Sequence, residues 1–140
     1  MRYKVVVGID GSDDSDAALR WALAEAGAHD GEVVAVFAWQ MPFVSNPAAF
    51  DRAELEQDGK AFLVNRVSLV APTPRVPLTS LVAEGDAAEA LVVASRDADL
   101  LVLGVRGRST FLGATLGGVS VRCAAGARCP VTLVKVPDGQ

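Results

Sequence analysis

A glycine-rich stretch from Gly104 to Ser120, GVRGRSTFLGATLGGVS, carries the residues best suited to binding an anion. Its glycines would let consecutive main-chain N–H groups converge on an oxyanion. A helix that begins near Gly117 would add unpaired N–H groups and the positive end of its dipole. Arg106 and Arg108 could supply positive charge. The glycine-rich stretch, which follows an apolar run, is therefore either a sharp turn or a cradle for phosphate.

A second candidate is Asp10, which stands between Gly8 and Gly11 in the sequence GIDGS and is followed by Ser12. A carboxylate here could bind a ribose hydroxyl or, through water, a magnesium ion bound to phosphates. The same residue could instead cap the turn and the helix that follow, a role that Asp, Ser and Gly fill routinely. Both interpretations stay open at this level.

Motifs for other nucleotide sites or for catalysis are missing from the chain. No GxxxxGK[ST] sequence provides a P-loop lysine, and no GxGxxG sequence follows the first apolar run. The single histidine, His29, falls at the end of a predicted helix, away from the glycine-rich stretch. Because no Ser/His/Asp or Cys/His set can be assembled, we interpret the chain as a binding protein rather than an enzyme.

The two cysteines, Cys123 and Cys129, lie six residues apart in the sequence. With only His29 elsewhere, they do not make a zinc ligand set. They could form a redox pair, but two buried structural thiols are the favoured interpretation.

Short, continuous, β-branched apolar runs alternate with helical segments along the chain. Continuous runs are typical of strands buried on both faces, as in a parallel sheet covered by helices. The alternation predicts a doubly wound α/β sheet. The predicted strands are Tyr3–Ile9, Glu32–Ala38, Pro77–Ala83, Asp99–Leu103 and Val131–Val136, and the predicted helices are Asp13–Gly27, Phe50–Ala71, Asp86–Arg96 and Gly117–Ala127.

Local signals mark several helix ends. Gly27 is predicted to cap the C-terminus of the first helix, and Asp86 is predicted to be the N-cap of the third. Gly59 is predicted to loosen the second helix, which stops at Pro72. The irregular stretch Gln40–Ala49 is predicted to be a lid or a surface loop.

Length and composition exclude several classes of protein. At 140 residues the chain is expected to form one domain, residues 1–140, with a single core. A net charge of −4 with scattered arginines argues against a nucleic-acid partner. No apolar run is long enough to span a membrane and the first residues do not resemble a secretory signal, so a cytoplasmic location is predicted.

In an open parallel sheet, ligands bind at the carboxyl ends of the strands, where the winding direction reverses. Four segments are expected to meet there, namely Gly8–Ser12, Phe37–Gln40, Ala83–Asp86 and the stretch from Gly104. Two of the four are rich in glycine, which predicts a binding site at this edge.

The glycine-rich stretch resembles the nucleotide-binding signature of the universal stress protein family, G-x2-G-x9-G-[ST], with Gly104, Gly107 and Gly117 on its glycine positions. The resemblance extends over VVVGIDGSDDSDAALRWA, VVAVFAW, EGDAAEALVVASRDADLLVLGVRGR and CPVTLVK, and so covers nearly the whole chain. It implies an adenine nucleotide alpha hydrolase-like fold, a single open sheet of five parallel strands in the order 3-2-1-4-5 with four helices.

The resemblance also implies a stress-response regulator that binds ATP, with magnesium, and acts by nucleotide-dependent conformation or partner binding. In the family's ATP-binding branch the aspartate after the first strand contacts ribose, and backbone after the second contacts adenine. The glycine loop and the next helix hold the phosphates. By position this implicates Asp10, Ala38, Leu103, Gly104, Gly107, Gly117, Gly118, Val119 and Ser120, to which the residues themselves add Arg106 and Arg108.

The chain departs from the signature at Gly118, where the family has Ser or Thr. The missing hydroxyl is expected to weaken phosphate binding, unless Ser120 reaches in to replace it. One alternative is therefore an interaction module of the same fold that does not use nucleotide. A second is a weak ATPase or adenylate-handling enzyme, for which no activating lysine or acid is evident.

The last predicted strand, Val131–Val136, is expected to be a sheet edge, and an apolar edge invites pairing. Members of the family commonly dimerise through this strand, so the resemblance implies a homodimer. Lys135 and the tail PDGQ could instead protect the edge in a monomer.

Overall fold

The computed structural model describes residues 2–41, 50–105 and 118–136, and strands and helices alternate through them in the predicted order. Small shifts at element ends are the main differences from the sequence prediction. The elements are β1 (Lys4–Gly8), α1 (Asp13–Ala28), β2 (Glu32–Trp39), α2 (Arg52–Val70), β3 (Leu78–Glu84), α3 (Ala87–Ala94), β4 (Leu100–Gly104), α4 (Gly118–Gly126) and β5 (Val131–Val134).

The strands form one parallel sheet in the order β3-β2-β1-β4-β5, which confirms the predicted fold class. β1 lies in the middle, with Val6 paired to Val34 of β2 on one side and to Leu101 of β4 on the other. Val5, Val6 and Val7 have no exposed surface. Burial on both faces explains why this run is continuously apolar instead of alternating.

Helices cover both faces of the sheet. On one face, Leu19 of α1 and Leu63 of α2 pack in the same core cluster as Val7 of β1. On the other face, Leu91 of α3 packs with Val6, and α4 contributes to the same cluster. No described helix combines the length and the apolar character that crossing a bilayer would require.

The first helix continues beyond Gly27, so the prediction that this glycine is the C-terminal cap is wrong. α1 ends at Ala28 and His29 is its cap, with an N–H that donates to the Ala26 carbonyl at 3.1 Å. The left-handed backbone needed to leave the helix is adopted by Asp30, with φ at 52°. Aspartate tolerates that conformation, and glycine is therefore not required at position 27.

The second helix is continuous through Gly59, which corrects the prediction that it loosens there. Gly59 is buried, and a Cβ atom at this position would lie 3.4 Å from Phe37 Cε2 and from Val82 Cγ1. The glycine therefore lets α2 pack closely on β2 and β3.

α3 and β5 each end two residues earlier than predicted. α3 stops at Ala94 because Ser95, its C-cap, turns its hydroxyl back to the Val92 carbonyl at 3.1 Å. β5 stops at Val134, two residues before the predicted end. Asp86 is the N-cap of α3, as predicted.

The winding direction of the sheet reverses at β1. The chain passes from β1 to β2 and β3 on one side, and then to β4 and β5 on the other. Because all strands are parallel, their carboxyl ends share one edge, and a crevice opens where the connections diverge.

Candidate functional site

A cleft lies at this edge, between the carboxyl ends of β1, β2 and β4. It has about 650 Å³ of space, part of which is open solvent, and this is within the usual range for small-molecule sites. The first turns of α1, α3 and α4 complete its described wall. The lining residues are Gly8, Ile9, Asp10, Ser12, Ser15, Val36, Phe37, Ala38, Ala87, Leu91, Leu103, Gly104, Gly118, Val119 and Ser120.

The cleft brings together all of the predicted site residues that the structure describes. They come from four separate parts of the fold that are far apart in the sequence. The residues are Asp10, Ala38, Leu103, Gly104, Gly118, Val119 and Ser120. The predicted positions Arg106, Gly107, Arg108 and Gly117 lie outside the described residues, so their contacts stay predictions.

The turn between β1 and α1 is shaped by hydrogen bonds from its own side chains. Asp10 Oδ1 accepts one from the main-chain N–H of Ser12 at 2.9 Å. Ser12, the N-cap of α1, accepts one from the N–H of Ser15 at 3.1 Å. Gly11 has φ at 84°, a left-handed value that glycine adopts without strain. Asp10 therefore does hold the turn, and it also lines the cleft.

Ser15 braces the same turn from inside. Its hydroxyl donates to the Ser12 carbonyl at 3.1 Å and accepts a hydrogen bond from the Asp10 N–H at 3.3 Å. Only 3% of Ser15 is exposed. Because both functions of a buried hydroxyl are used, the backbone around Asp10 is held in one geometry.

Gly104, at the end of β4, is a glycine because α1 packs directly against it. A Cβ atom there would lie 2.8 Å from Asp14 Cβ and 3.0 Å from the main-chain nitrogen of Ser15. Asp14 is itself buried, and its Oδ1 accepts a hydrogen bond from the Val136 N–H at 3.0 Å. Helix packing thus accounts for this glycine of the signature, which the sequence interpretation attributed to a ligand or a turn.

The first turn of α4 faces the cleft with Gly118, Val119 and Ser120. The opening N–H groups of a helix have no helical acceptor and carry the positive end of its dipole. A Cβ atom on Gly118 would meet nothing within 4 Å among the described atoms. The space for a side chain at this position is therefore present.

Ser120 does not offer its hydroxyl to the cleft, which corrects the expectation that it replaces the missing hydroxyl at Gly118. Ser120 Oγ donates to the Gly104 carbonyl at 2.7 Å and lies 3.3 Å from the Val105 carbonyl. Only 3% of the residue is exposed. The hydroxyl proton is engaged in a hydrogen bond within the fold.

Part of the cleft lining is an apolar wall from the two strands that flank β1. Val36, Phe37 and Ala38 contribute it from β2, and Leu103 from β4. The space beneath is closed, since a Cβ atom on Gly8 would lie 2.9 Å from Leu103 Cδ2. A surface of this kind suits a flat aromatic base.

The sequence interpretation missed Leu91 and Ala87, both of which α3 brings to the cleft. Leu91 is 5% exposed and belongs to the core cluster on its face of the sheet. The apolar spacing of α3 marks Leu91 as a core residue, but no local signal separates a core leucine from one that also borders a cleft.

Charged groups lie both in the cleft lining and beside it. Asp10 is the one charged residue in its described lining. Asp86, the residue before the lining residue Ala87, makes a bidentate contact with Arg122 of α4, with two N···O distances of 2.8 Å. The hydrogen bond from Arg122 holds the pKa of the Asp86 carboxyl below its ordinary value. In the described ranges no three His, Cys, Asp or Glu side chains are grouped to hold a metal ion.

The cysteines and the histidine lie outside the cleft lining. Cys123 is fully buried, as predicted, and desolvation raises the pKa of its thiol to about 11. Cys129 is half-buried, which corrects the expectation that both thiols are buried, and neither is in a disulfide. His29 is exposed at the far end of α1, where its ring stacks on Tyr3 with centroids 4.3 Å apart.

Solved structures share the fold of this chain, the adenine nucleotide alpha hydrolase-like fold. UspA from Lactobacillus plantarum superposes with a TM-score of 0.80 at 22% identity, over 95% of this chain and 97% of that one. The universal stress protein from Archaeoglobus fulgidus in complex with dAMP gives 0.73 at 20%, over 95% and 98%. A universal stress protein in complex with cAMP gives 0.71 at 28%, over 97% and 98%.

A model of the universal stress protein family matches residues 1–135, and the chain belongs to that family. A universal stress protein of Mycobacterium tuberculosis is 33% identical over 132 residues, which are 94% of this chain and 44% of the relative. One of Methanocaldococcus jannaschii is 33% identical over 141 residues, covering 96% and 82%. The chain thus spans less than half the length of the mycobacterial relative.

Proposed function

We propose that this universal stress protein binds an adenine nucleotide, with ATP as its ligand, in the cleft at the carboxyl edge of the sheet. We propose further that it regulates a stress response by nucleotide-dependent conformation or partner binding rather than by catalysis. The observation that carries the binding proposal is the meeting of the described signature positions in one cleft of suitable size. The cAMP and dAMP complexes of its structural neighbours support adenine as the common element.

In this proposal each wall of the cleft holds one part of the nucleotide. The apolar wall and the main chain of Ala38 take the base, and Asp10 takes the ribose. Main-chain N–H groups at Gly104, Gly118 and Val119 take phosphate oxygens, with the positive end of α4 favouring their charge. The proposed phosphate contacts of Arg106, Gly107, Arg108 and Gly117 complete the set.

Magnesium is proposed to arrive with ATP. A divalent ion neutralises phosphate charge, and Asp10 is the one carboxylate in the described lining that could contact it, through water. One carboxylate does not make a resident metal site. Without magnesium, ATP is therefore expected to bind more weakly than AMP, because the charge of its three phosphates is not neutralised.

Isothermal titration of the purified protein with ATP and magnesium tests the proposal. Saturable binding of one nucleotide per chain is the expected result, with AMP and cAMP as comparison ligands. The variant Gly117→Val is expected to abolish it, because a branched side chain would stand on a signature glycine. An absence of binding at millimolar ATP would contradict the proposal.

An interaction module that uses no nucleotide is the second candidate. Gly118 favours it, because the hydroxyl expected there is missing and Ser120 does not replace it. Protein purified without added ligand separates the two candidates. Adenine nucleotide released on denaturation, identified by mass spectrometry, supports the leading proposal, whereas its absence together with a failed titration supports the alternative.

We also propose that the protein is a cytoplasmic homodimer of single-domain chains, paired through the predicted strand Val131–Val136. β5, which forms the first four residues of that predicted strand, is an edge of the sheet with half-buried residues throughout. An edge strand offers unpaired main-chain groups to a second chain. Light scattering decides the point, because a monomer mass that does not change with concentration rejects the dimer.

A further inference from the structure

We propose that Ser120 is a positioning residue, whose buried hydroxyl fixes the first turn of α4 against the end of β4. By fixing the distance between α4 and the end of β4, it sets the affinity for the phosphate part of the ligand, not for the base or the ribose. The ligand in this inference rests on the proposed function, while the tie itself rests on the described geometry.

The hydroxyl of Ser120 joins the two elements that flank the phosphate end of the cleft. It donates to the Gly104 carbonyl at 2.7 Å, a short and well-formed bond, and only 3% of the residue is exposed. Gly104 and Ser120 both line the cleft. The bond therefore links β4 and α4 beside the main-chain N–H groups that are proposed to bind phosphate.

The connection between β4 and α4 is much longer in sequence than the one between β1 and α1. Residues 105–117 separate Gly104 from Gly118, whereas only residues 9–12 connect β1 to α1. A long connection leaves the relative placement of strand and helix to contacts between them. The Ser120 hydroxyl is the polar contact that the structure records between α4 and the end of β4.

The other polar ties of α4 lead to α3 and not to β4. Cys123 Sγ lies 3.9 Å from the Ala88 carbonyl, a weak sulfur contact. Arg122 contacts Asp86, at the start of α3, with side chains that are 53% and 33% exposed. Exposed ion pairs contribute little to stability because water screens them. The buried hydroxyl is thus the better candidate for holding the helix in place.

Removal of the hydroxyl is expected to act selectively. In Ser120→Ala the Gly104 carbonyl loses its partner and the first turn of α4 is free to shift, which misaligns its N–H groups. The proposed ribose contact lies in the turn after β1, and the proposed base contacts lie on β2 and at Leu103 of β4, so none of them is on α4. AMP should therefore lose affinity, and adenosine should not.

The experiment measures the dissociation constants of AMP and adenosine for four proteins by titration calorimetry. They are the wild type, Ser120→Ala, Ser120→Thr and the matched control Ser95→Ala. Ser95 is also buried and its hydroxyl donates to the Val92 carbonyl at 3.1 Å, but it lies at the far end of α3 and does not line the cleft.

The AMP dissociation constant is expected to rise about tenfold in Ser120→Ala, with adenosine unchanged. Ser120→Thr, which keeps the hydroxyl, should restore most of the AMP affinity, and Ser95→Ala should leave both constants unchanged. An equal loss for both ligands, or the same loss in Ser95→Ala, overturns the proposal.

Hydrogen exchange separates failure of this inference from failure of the proposed function. If the wild type binds none of ATP with magnesium, AMP and adenosine, the proposed function fails. Faster amide exchange at residues 118–122 in Ser120→Ala, but not in Ser95→Ala, then still establishes Ser120 as the tie of α4. Unchanged exchange in those residues overturns that role.

Discussion

The two connections that border the cleft are built in opposite ways. Between β1 and α1 the turn is short, and the side chains of Asp10, Ser12 and Ser15 saturate it with internal hydrogen bonds. Between β4 and α4 the connection is long, and one hydroxyl, that of Ser120, ties the helix to the Gly104 carbonyl.

One half of the cleft is thus held by hydrogen bonds within its own turn. The other half is held by a contact between residues that are far apart in the sequence. The β1 side presents Asp10 on a backbone that has little freedom. The β4 side depends on packing, since α1 reaches Gly104 and α4 is tied back to it. Substitution of Ser12, which holds the first turn, should therefore affect mainly stability, and substitution in the first turn of α4 should affect mainly ligand affinity. Gly104 should affect both.

Gly104→Ala is expected to have the largest effect. The new Cβ would lie 2.8 Å from Asp14 Cβ, so α1 must move away from β4. Overpacking of this kind costs about 1–3 kcal/mol of unfolding free energy, and nucleotide affinity should fall as well. Urea denaturation and calorimetry measure the two losses.

Gly118→Ala is the matched control for Gly104→Ala, because a Cβ atom at Gly118 meets no neighbour within 4 Å among the described residues. Its unfolding free energy should stay within about 0.5 kcal/mol of the wild type. Equal destabilisation by the two alanines would contradict the view that Gly104 is a packing glycine.

Gly118→Ser is expected to tighten nucleotide binding about tenfold, because it adds a hydroxyl donor at the start of α4. Stability should change little. Titration with ATP and magnesium measures the gain, and Gly118→Ala, which adds volume without a donor, should show none. A gain of the same size in both variants would exclude the hydroxyl as its cause.

Ser12→Ala is expected to cost about 1 kcal/mol of unfolding free energy, since α1 loses its N-cap. Ser12→Asn, which also caps, should retain most of the stability. Urea denaturation of both variants tests the local nature of the β1 side. A loss in Ser12→Asn as large as in Ser12→Ala would show that the cap does not hold this turn.

Arg122→Gln is expected to have the smallest effect, and one that depends on pH. Because Arg122 lowers the pKa of Asp86, the pair stabilises the fold above the ordinary carboxyl pKa of 3.8 and loses that contribution as pH falls through the lowered value. The Asp86 pKa measured by NMR should rise in Arg122→Gln and not in Arg96→Gln, a variant at the opposite end of α3. No rise would contradict the pairing.

The sheet could be predicted because each of its signals is local. Continuous apolar runs identified the strands, and Asp86 after Gly85 identified the start of α3. Helix ends were less certain, since Asp30 rather than Gly27 adopts the left-handed turn conformation.

The site could be predicted in outline, because signature positions fall at strand ends that a parallel sheet brings together. The reasons for individual residues could not. Gly104 and Gly59 are glycines because distant elements pack against them, and the Ser120 hydroxyl bonds a carbonyl 16 positions away. Such contacts depend on the tertiary arrangement and leave no mark in local sequence.

The central claim, that an adenine nucleotide occupies this cleft, is tested most directly by an NMR titration of the ¹⁵N-labelled protein with ATP and magnesium. Amide shifts are expected to concentrate at Asp10, Ala38, Gly104 and the first turn of α4, with both sides of the cleft responding together. No shifts at millimolar nucleotide, or shifts confined to residues outside the cleft, would contradict it.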